Sequence, residues 1–245
     1  MMMGKRTREI IETALKSGRA NLLETEAKAI CEDYQMPIPQ SELAKSPEEA
    51  SNAAQRLGYP IVLKIVSQDI LHKTEAGGVL LDIKNSVEVR DGFVRIAESA
   101  RRYSPAAKLE GVLVQKMVPQ GIEVIIGGLM DPQFGQTLMF GLGGVFVEIL
   151  KDVTLRIAPI TEQDAREMIR EIKAYPILKG YRGNPPVDED AIVGILLRAS
   201  DLTMENPQIN QMDLNPVMVY DKGASIVDAR MILRLWQSVH SSTRS

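Results

Sequence analysis

Residues 59–83 read YPIVLKIVSQDILHKTEAGGVLLDI, a pattern that predicts a strand, a polar loop and a second strand. The first strand carries Lys64 in an otherwise apolar run, and the loop contains His72, followed by Gly77 and Gly78. Glycine lets backbone N–H groups approach an anion because no Cβ intervenes, and a lysine neutralises its charge. The segment therefore predicts a phosphate site, where a neutral imidazole would accept a phosphoryl group. The alternative is that His72 is an ordinary polar loop residue.

The composition indicates a globular protein and excludes several functional classes. The 245 residues are 44% apolar and 25% charged, and the net charge of -3 excludes a broad basic surface for nucleic acid. No apolar run approaches the roughly 20 residues of a membrane helix, and residues 1–6 lack the apolar core of a signal peptide. A single cysteine, Cys31, excludes an internal disulfide and a cysteine-based zinc site. We therefore expect a cytoplasmic protein that does not enter a membrane.

Alternation of helical and β-rich segments predicts an α+β fold of two lobes, with the ligand cleft between them. Strands are expected from Gly111 onward, including one over 145–150, and a final helix is expected over 229–240. The predicted divisions are an N-terminal helix in 1–20, a smaller lobe over 21–110, a larger lobe over 111–235 and a polar tail over 236–245.

Three oxygen-bearing side chains lie on neighbouring predicted strands near the C-terminus: Asp213, Asn215 and Asp228. Magnesium prefers one or two such oxygens together with substrate phosphates and water. The three residues therefore predict a magnesium site, although Asp-x-Asn-Pro is also a common turn.

The residues that follow the strand at Gly111 could hold the rest of a nucleotide. Gln115, Met117 and Val118 end this strand, and their backbone groups could bind the edge of a base. Glu123 comes shortly afterwards, with a carboxylate that can accept hydrogen bonds from ribose hydroxyls.

Seven runs occur in order along about residues 22–232: Pro60–Lys64, His72–Val79, Gly121–Gly127, Asp131–Gly135, Phe140–Glu148, Leu178–Gly183 and Asp213–Pro216. Together they resemble the ATP-grasp family, and specifically the β subunits of the ADP-forming acetyl-CoA synthetases. The chain departs from the family at Gln136, where proline is frequent, and at Met130, where a basic residue is frequent. Neither position coincides with a proposed site residue.

The resemblance implies an ATP-grasp fold that holds ADP or ATP, with Mg²⁺, between two α+β lobes. It implies the reaction in which acyl-CoA, ADP and phosphate give a free acid, ATP and CoA. In this family a separate CoA-binding α subunit forms the acyl phosphate, and one of its histidines carries the phosphoryl group to the β subunit. The expected assembly is an α2β2 heterotetramer.

The resemblance also implies roles for individual residues. His72 matches a second, transient phosphohistidine, and Lys64 and Lys73 would bind the nucleotide. Asn215 and Asp228 match the metal ligands of the related succinyl-CoA synthetases, with Asp213 beside them. Arg156 would neutralise phosphate charge, and Glu148 would orient the incoming histidine. For these last two residues a structural ion pair is the alternative.

Two other functions remain open from the sequence. One is a self-contained ATP-grasp ligase that joins a carboxylate to an amine or thiol, which would need an acceptor site on this chain. The other is a nucleotide-sensing subunit without turnover, which would need no phosphoryl acceptor.

Overall fold

The computed structural model describes residues 4–70, 72–144, 152–180, 183 and 185–235. These residues form two antiparallel sheets with helices packed against them, which confirms the α+β class. The helices are α1 (Lys5–Lys16), α2 (Glu24–Asp33), α3 (Pro47–Leu57), α4 (Ser86–Tyr103), α5 (Glu162–Glu171), α6 (Tyr175–Leu178) and α7 (Glu189–Glu205). The strands are β1 (Ser41–Ala44), β2 (Ile61–Ser67), β3 (Val79–Ile83), β4 (Leu109–Lys116), β5 (Ile122–Asp131), β6 (Gly135–Leu142), β7 (Val153–Ile157), β8 (Ile209–Val219), β9 (Ala224–Ile226) and β10 (Ala229–Leu233).

The smaller lobe is a four-stranded sheet in the order β1-β4-β2-β3, with α3 and α4 on one face. Helix α3 begins after Ser46, whose hydroxyl accepts a hydrogen bond from the Glu49 N–H, and proline occupies the first turn. Leu63 and Ile65 of β2 pack into the core beneath these helices. Side chains alternate along a strand, so Lys64 projects from the opposite face, toward the larger lobe.

The larger lobe is built on a sheet in the order β10-β8-β5-β6-β7, with β9 paired to β8. One face forms the main core with α1, α2, α5 and α7, where Ile126, Leu138 and Phe140 are fully buried. The register pairs Met139 of β6 with Leu155 of β7, and these two residues lie on the other, open face. The open face therefore supplies the larger lobe's side of any cleft.

The structure corrects the predicted division between the lobes. Strand β4 pairs with β1 and β2, so the smaller sheet extends to Lys116 instead of ending before Gly111. Helices α1 and α2 belong to the larger lobe, because Ile11, Ala27 and Ile30 pack into its core.

The predicted final helix is also wrong over its described part. Residues 229–233 form β10, which pairs antiparallel with β8. Ala229, Met231 and Leu233 are buried while the residues between them are partly exposed, the two-residue period of a strand. The predicted strand over 145–150 and the predicted tail over 236–245 lie outside the described residues. In the part of the chain that is described, no helix is both long and apolar enough to cross a bilayer.

Candidate active site in the cleft between the lobes

The loop that contains His72 is closed by its own backbone hydrogen bonds. The N–H of Gly78 donates to the carbonyl of Lys73 at 2.7 Å, and the N–H of Gly77 donates to the carbonyl of Thr74 at 3.0 Å. These two N–H groups are therefore already engaged, and the expectation that the glycines cradle a phosphate is wrong for this conformation. Gly77 has a φ of 61°, which suits glycine in the turn.

Gly78 has a packing role as well. A Cβ at this position would lie 2.4 Å from Cγ2 of Ile65, so only glycine fits against β2. The carbonyl of Gly78 also accepts a 2.7 Å hydrogen bond from the N–H of Ile65. The loop is thereby fixed to the strand that carries Lys64.

A buried carboxylate, Glu24, stands at the centre of the cleft and binds three lysines. Its Oε1 accepts a 2.8 Å hydrogen bond from Nζ of Lys64 and lies 2.9 Å from Nζ of Lys28. Its Oε2 accepts a hydrogen bond from Nζ of Lys73. Glu24 and Lys28 are one turn apart on α2, whereas the other two lysines come from the smaller lobe. Glu24 is therefore the common counter-ion of a charged cluster that spans both lobes.

Two of these lysines also bind the larger lobe directly. Nζ of Lys64 donates to the carbonyl of Val227 at 2.9 Å, and Nζ of Lys73 lies 3.0 Å from Oδ2 of Asp228. Nζ of Lys64 also lies 3.8 Å from Oδ2 of Asp228. The end of the cleft that contains the charged groups is thus closed by contacts between the lobes.

The electrostatics favour an ionised cluster at neutral pH. Burial raises the pKa of the Glu24 carboxyl, but the charges of Lys64, Lys73 and Lys28 outweigh it and hold that pKa well below its usual range. Burial also opposes the charge on Lys73, yet Glu24 and Asp228 raise its pKa. At Lys28 burial prevails and lowers the pKa to about 8.

The three predicted metal ligands lie together. Asp213, Asn215 and Asp228 line one cavity of about 170 Å³, with Glu24 and Lys73 on its other side. The N–H of Asn215 donates to the carbonyl of Asp228 at 3.2 Å, which holds β8 beside the start of β10. The cavity is smaller than the roughly 300–1,000 Å³ of ligand pockets, so in this conformation it matches phosphates and a metal better than a whole nucleotide.

The donor set suits a magnesium ion that arrives with a nucleotide. Among the described residues, no three His, Cys, Asp or Glu side chains are grouped so that they could hold a metal ion by themselves. Two carboxylates and one amide oxygen on a single cavity wall nevertheless match magnesium, which takes its remaining ligands from phosphates and water. Burial raises the pKa of Asp213, with the charge on Asp228 adding to the effect and that on Arg230 opposing it.

The residues predicted to bind the base and ribose differ in whether their polar groups already have hydrogen-bond partners. The Gln115 side chain is buried, and its Oε1 accepts a hydrogen bond from Nζ of Lys28, which links it to the Glu24 cluster. The N–H of Met117 donates to the carbonyl of Pro60, so it is not available to a base. Within the described residues the N–H of Val118 has no hydrogen bond, which leaves it free for that purpose.

Glu123 is exposed near the start of β5. Its carbonyl accepts a 2.7 Å hydrogen bond from the N–H of Gly143. A Cβ on Gly143 would lie 2.9 Å from Cβ of Glu123, so this close approach requires glycine. The Glu123 carboxylate therefore remains accessible to a polar ligand.

His72 is accessible and lies next to a member of the cluster. Its side chain is 65% exposed, and its Nδ1 is 3.9 Å from Oε1 of Glu75. The adjacent residue, Lys73, reaches Glu24 and Asp228. An imidazole at the rim of the cleft can accept a group from inside it.

Arg156 does not line the cavity that contains the predicted metal ligands. On β7 it pairs with Leu138, whose side chain is in the helix-covered core, whereas Leu155 faces the open side. Its guanidinium donates a 2.6 Å hydrogen bond to Oε1 of Glu171 on α5. We therefore correct the catalytic assignment of Arg156 to the structural ion pair that was its alternative. Glu148 lies outside the described residues.

Sequence reasoning missed Glu24 and assigned no role to Arg230. A glutamate in the first turn of a helix is ordinary, because it complements the helix dipole. Its burial is the unusual property, and the sequence around α2 gives no sign of it. Arg230 follows Asp228 by two residues and lines the same cavity, a position that the strand alternation of β10 would have predicted.

The comparisons with known proteins agree with this arrangement. A family model described as an ATP-grasp domain matches residues 13–233. The β subunit of acetate–CoA ligase [ADP-forming] I from Pyrococcus furiosus is 52% identical over 228 residues, which are 93% of this chain and 98% of the relative.

Two solved structures of dinucleotide-forming acetyl-coenzyme A synthetase 1 from Ca. Korarchaeum cryptofilum are also similar. One, in complex with coenzyme A and Ca-AMPCP, has a TM-score of 0.92 and 50% identity over 93% of this chain and 100% of that chain. The other, with coenzyme A and Mg-AMPPCP, has its phosphohistidine segment pointing towards the nucleotide-binding site; it has a TM-score of 0.83 and 47% identity over the same shares. The chain therefore belongs to the ATP-grasp family and, within it, to the group of the ADP-forming acetate–CoA ligase β subunits.

Proposed function

We propose that this chain is the nucleotide-binding subunit of an ADP-forming acyl-CoA synthetase, and that it transfers a phosphoryl group between phosphohistidine and ADP. One observation carries the proposal. Two lysines of the smaller lobe, Lys64 and Lys73, meet three metal-type ligands of the larger lobe in one closed cleft. Phosphoryl transfer requires mainly positioning and neutralisation of charge, and this arrangement provides both.

The lysines would bind the nucleotide phosphates in place of their present carboxylate partners. Lys64 has Glu24 as its hydrogen-bonded partner, and Lys73 binds both Glu24 and Asp228. The phosphate oxygens would replace some of these contacts, so each lysine would keep a negative partner throughout. The N–H of Val118 and the carboxylate of Glu123 would hold the base and ribose.

Magnesium would be held by Asn215 and Asp228, with Asp213 beside them. When bound, the ion would neutralise part of the negative charge of the phosphates. The ammonium of Lys73 provides a positive charge next to the Asp228 carboxylate. Metal binding at Asp228 would therefore release Lys73 toward the phosphates.

His72 would accept and return the phosphoryl group at the rim of the cleft. Its imidazole is exposed, and the backbone contacts of Gly78 hold its loop against β2. A fixed loop with an accessible nucleophile suits a relay between two sites. A non-catalytic nucleotide sensor would have no need of such an acceptor.

A CoA-binding α subunit would complete the enzyme, in an α2β2 heterotetramer. Two relatives from Pyrococcus furiosus, each 52% identical to this chain, are named as β subunits, which implies a partner of another type. Acetate or a related acid would be activated on that partner. We place the reaction in the cytoplasm, where ADP, ATP and CoA are available.

The test combines this chain with a CoA-binding α chain and measures ATP formation from acetyl-CoA, ADP and phosphate. We expect nucleotide binding by the chain alone, but synthesis only with the partner present. Robust CoA- and acetate-dependent ADP release by the chain alone would instead favour the self-contained ligase. Nucleotide binding without ³²P transfer from labelled ATP in the complex would favour the sensor.

A further inference from the structure

Arg230 is a cation of the cleft to which no role has been assigned so far. It lies on β10 directly opposite Asp213 on β8 in the antiparallel register. Residues that pair in this way project from the same face of a sheet, with Cβ atoms about 4.5–5.5 Å apart. Arg230 also lines the cavity that contains Asn215, Asp228 and Lys73. Its guanidinium is therefore directed to the region of the proposed phosphates and metal.

The guanidinium lacks the partners that the other cations of the cleft have. Lys28, Lys64 and Lys73 each bind a carboxylate. Arg230 forms neither a hydrogen bond nor an ion pair with any residue that the structure describes, and its Nε is buried without a partner. A buried donor without an acceptor costs free energy, so such a group indicates a ligand that would satisfy it.

Asp213 does not serve as that acceptor, although it is the cross-strand neighbour. No nitrogen of Arg230 comes within ion-pair distance of the Asp213 carboxylate in the described residues. A planar guanidinium with several N–H donors matches the oxygens of a phosphate, which it can bind through two parallel hydrogen bonds.

We propose that Arg230 binds the terminal phosphate of a nucleoside triphosphate held in this cavity. The proposal rests on the proposed function, because that function places the nucleotide phosphates between Lys73 and the wall formed by Asn215 and Asp228. Arg230 lies on this wall, two residues beyond Asp228. Lys64 and Lys73 approach from the smaller lobe, so the terminal phosphate would be bound from both lobes.

The experiment compares AMP, ADP and ATP by titration calorimetry at fixed magnesium concentration, using the full chain and its Arg230→Gln variant. We expect the variant to bind ATP about 10-fold or more weakly, since a hydrogen bond to a charged group contributes about that factor. The loss should be smaller for ADP, and the affinity for AMP should stay within about twofold. Arg95→Gln, on the exposed surface of α4, is the control and should retain all three affinities.

Three outcomes would overturn the proposal. Equal ATP affinity in Arg230→Gln and the wild type would exclude contact with the terminal phosphate. An equal loss of affinity for AMP, ADP and ATP in Arg230→Gln would show that Arg230 acts only through the structure of the cleft. Failure of the wild type to bind any nucleotide would remove the proposed function together with this role, whereas the first two results leave that function intact.

A second variant covers the case in which Arg230→Gln does not fold. Arg230→Lys keeps the charge but cannot form two parallel hydrogen bonds, so its ATP affinity should fall several-fold while AMP binding is retained. Thermal unfolding shows whether each variant is folded before titration. ATP affinity equal to that of the wild type in Arg230→Lys would contradict the bidentate contact.

Discussion

Nζ of Lys73 lies 3.0 Å from Oδ2 of Asp228, so the loop that carries His72 is bound directly to a proposed metal ligand of the other lobe. Lys73 also binds Glu24, the buried carboxylate that holds Lys28 and Lys64. Nucleotide binding, metal binding and the position of the His72 loop are therefore expected to depend on one another.

Replacing Glu24 with glutamine should destabilise the protein. Three lysines would lose their shared carboxylate in a buried environment, and breaking a buried ion pair costs about 3–5 kcal/mol. Urea unfolding measures the loss. Glu32→Gln is the control, because the Glu32 pair with Arg6 is half exposed and should contribute at most about 1 kcal/mol. Equal unfolding midpoints for the two variants would contradict the central role of Glu24.

Loss of Asn215 or Asp228 should weaken binding of the magnesium–nucleotide complex more than loss of Asp213. We expect a decrease of about 10-fold or more for Asn215→Ala and Asp228→Ala, because metal clamps contribute several kcal/mol. Asn215 and Asp228 are the two positions that the family resemblance matches to metal ligands, whereas Asp213 lies beside them in the same cavity. Titration of ADP with and without magnesium separates metal effects from direct ones. Unchanged affinity in both variants would remove the metal assignment.

His72→Ala should stop phosphoryl passage between ATP and the α subunit while nucleotide affinity stays nearly the same. His72 is exposed and forms no part of the Glu24 cluster, so its removal should cost about 0.5 kcal/mol or less in stability. Labelled ATP followed by peptide mapping would locate the acid-labile, base-stable phosphohistidine. Thr74→Ala, in the same exposed loop, should retain transfer. Near wild-type turnover in His72→Ala would return it to an ordinary loop residue.

Gly78→Ala should destabilise the smaller lobe. The added methyl group would meet Cγ2 of Ile65 at 2.4 Å and the carbonyl of Lys73 at 3.1 Å, and such overpacking costs about 1–3 kcal/mol. Gly194→Ala in α7 is the matched control, because no atom lies within 4 Å of the added methyl group. That variant should gain about 0.5–1 kcal/mol from helix propensity. Urea unfolding should therefore show a lower free energy of unfolding for Gly78→Ala and a higher one for Gly194→Ala. Equal changes in the two variants would contradict the prediction.

The lowered pKa of Lys28 should make the free energy of unfolding rise with pH between about 8 and 10.5. Its pKa is about 8 in the folded protein, against an ordinary value of 10.5. Between these values the unfolded chain binds more protons, so the free energy of unfolding increases with pH. Burial raises the pKa of Cys31 to about 12, against an ordinary value of 9.0, which acts in the opposite direction within this pH range. The raised pKa of Lys73 does so only above its ordinary value of 10.5. Cys31 is present in both proteins, so between pH 8 and pH 10 the free energy of unfolding should change more favourably in the wild type than in Lys28→Met. Parallel changes in urea unfolding would contradict the assignment.

The sequence predicted the features that depend on local patterns. The strand that carries Lys64, the loop that carries His72 and the strand after it follow from an apolar run, a polar stretch with two glycines and a second apolar run. Asp213 and Asn215 are two residues apart on a strand, so they had to share a face. The order of such segments was enough to indicate the family and the position of the cleft.

Features that depend on distant partners could not be predicted in this way. Glu24 is buried because Lys64 and Lys73 approach it from another lobe, 40 and 49 residues along the chain. The sequence predicted strands in this region but not which residues of β7 face the cleft. Successive side chains of a strand point to opposite faces, and Arg156 lies on the helix-covered face, opposite to the one expected. Strand β10 was taken for a helix because its short apolar pattern suits both.

The charged cluster also affects which ligand the cleft is expected to bind. The three lysines and two carboxylates leave a single net positive charge, so the cavity is nearly neutral before anything binds. A phosphate alone could bind Arg230, but it would compete with Glu24 for the lysines and would leave Asp228 without a second cation. A metal ion alone would compete with Lys73 for Asp228 but would bring no anion for the displaced ammonium. A ligand that delivers an anion and a divalent cation together would replace both partners of Lys73 at once, so we expect the cleft to favour a magnesium–nucleotide complex over free phosphate or free magnesium.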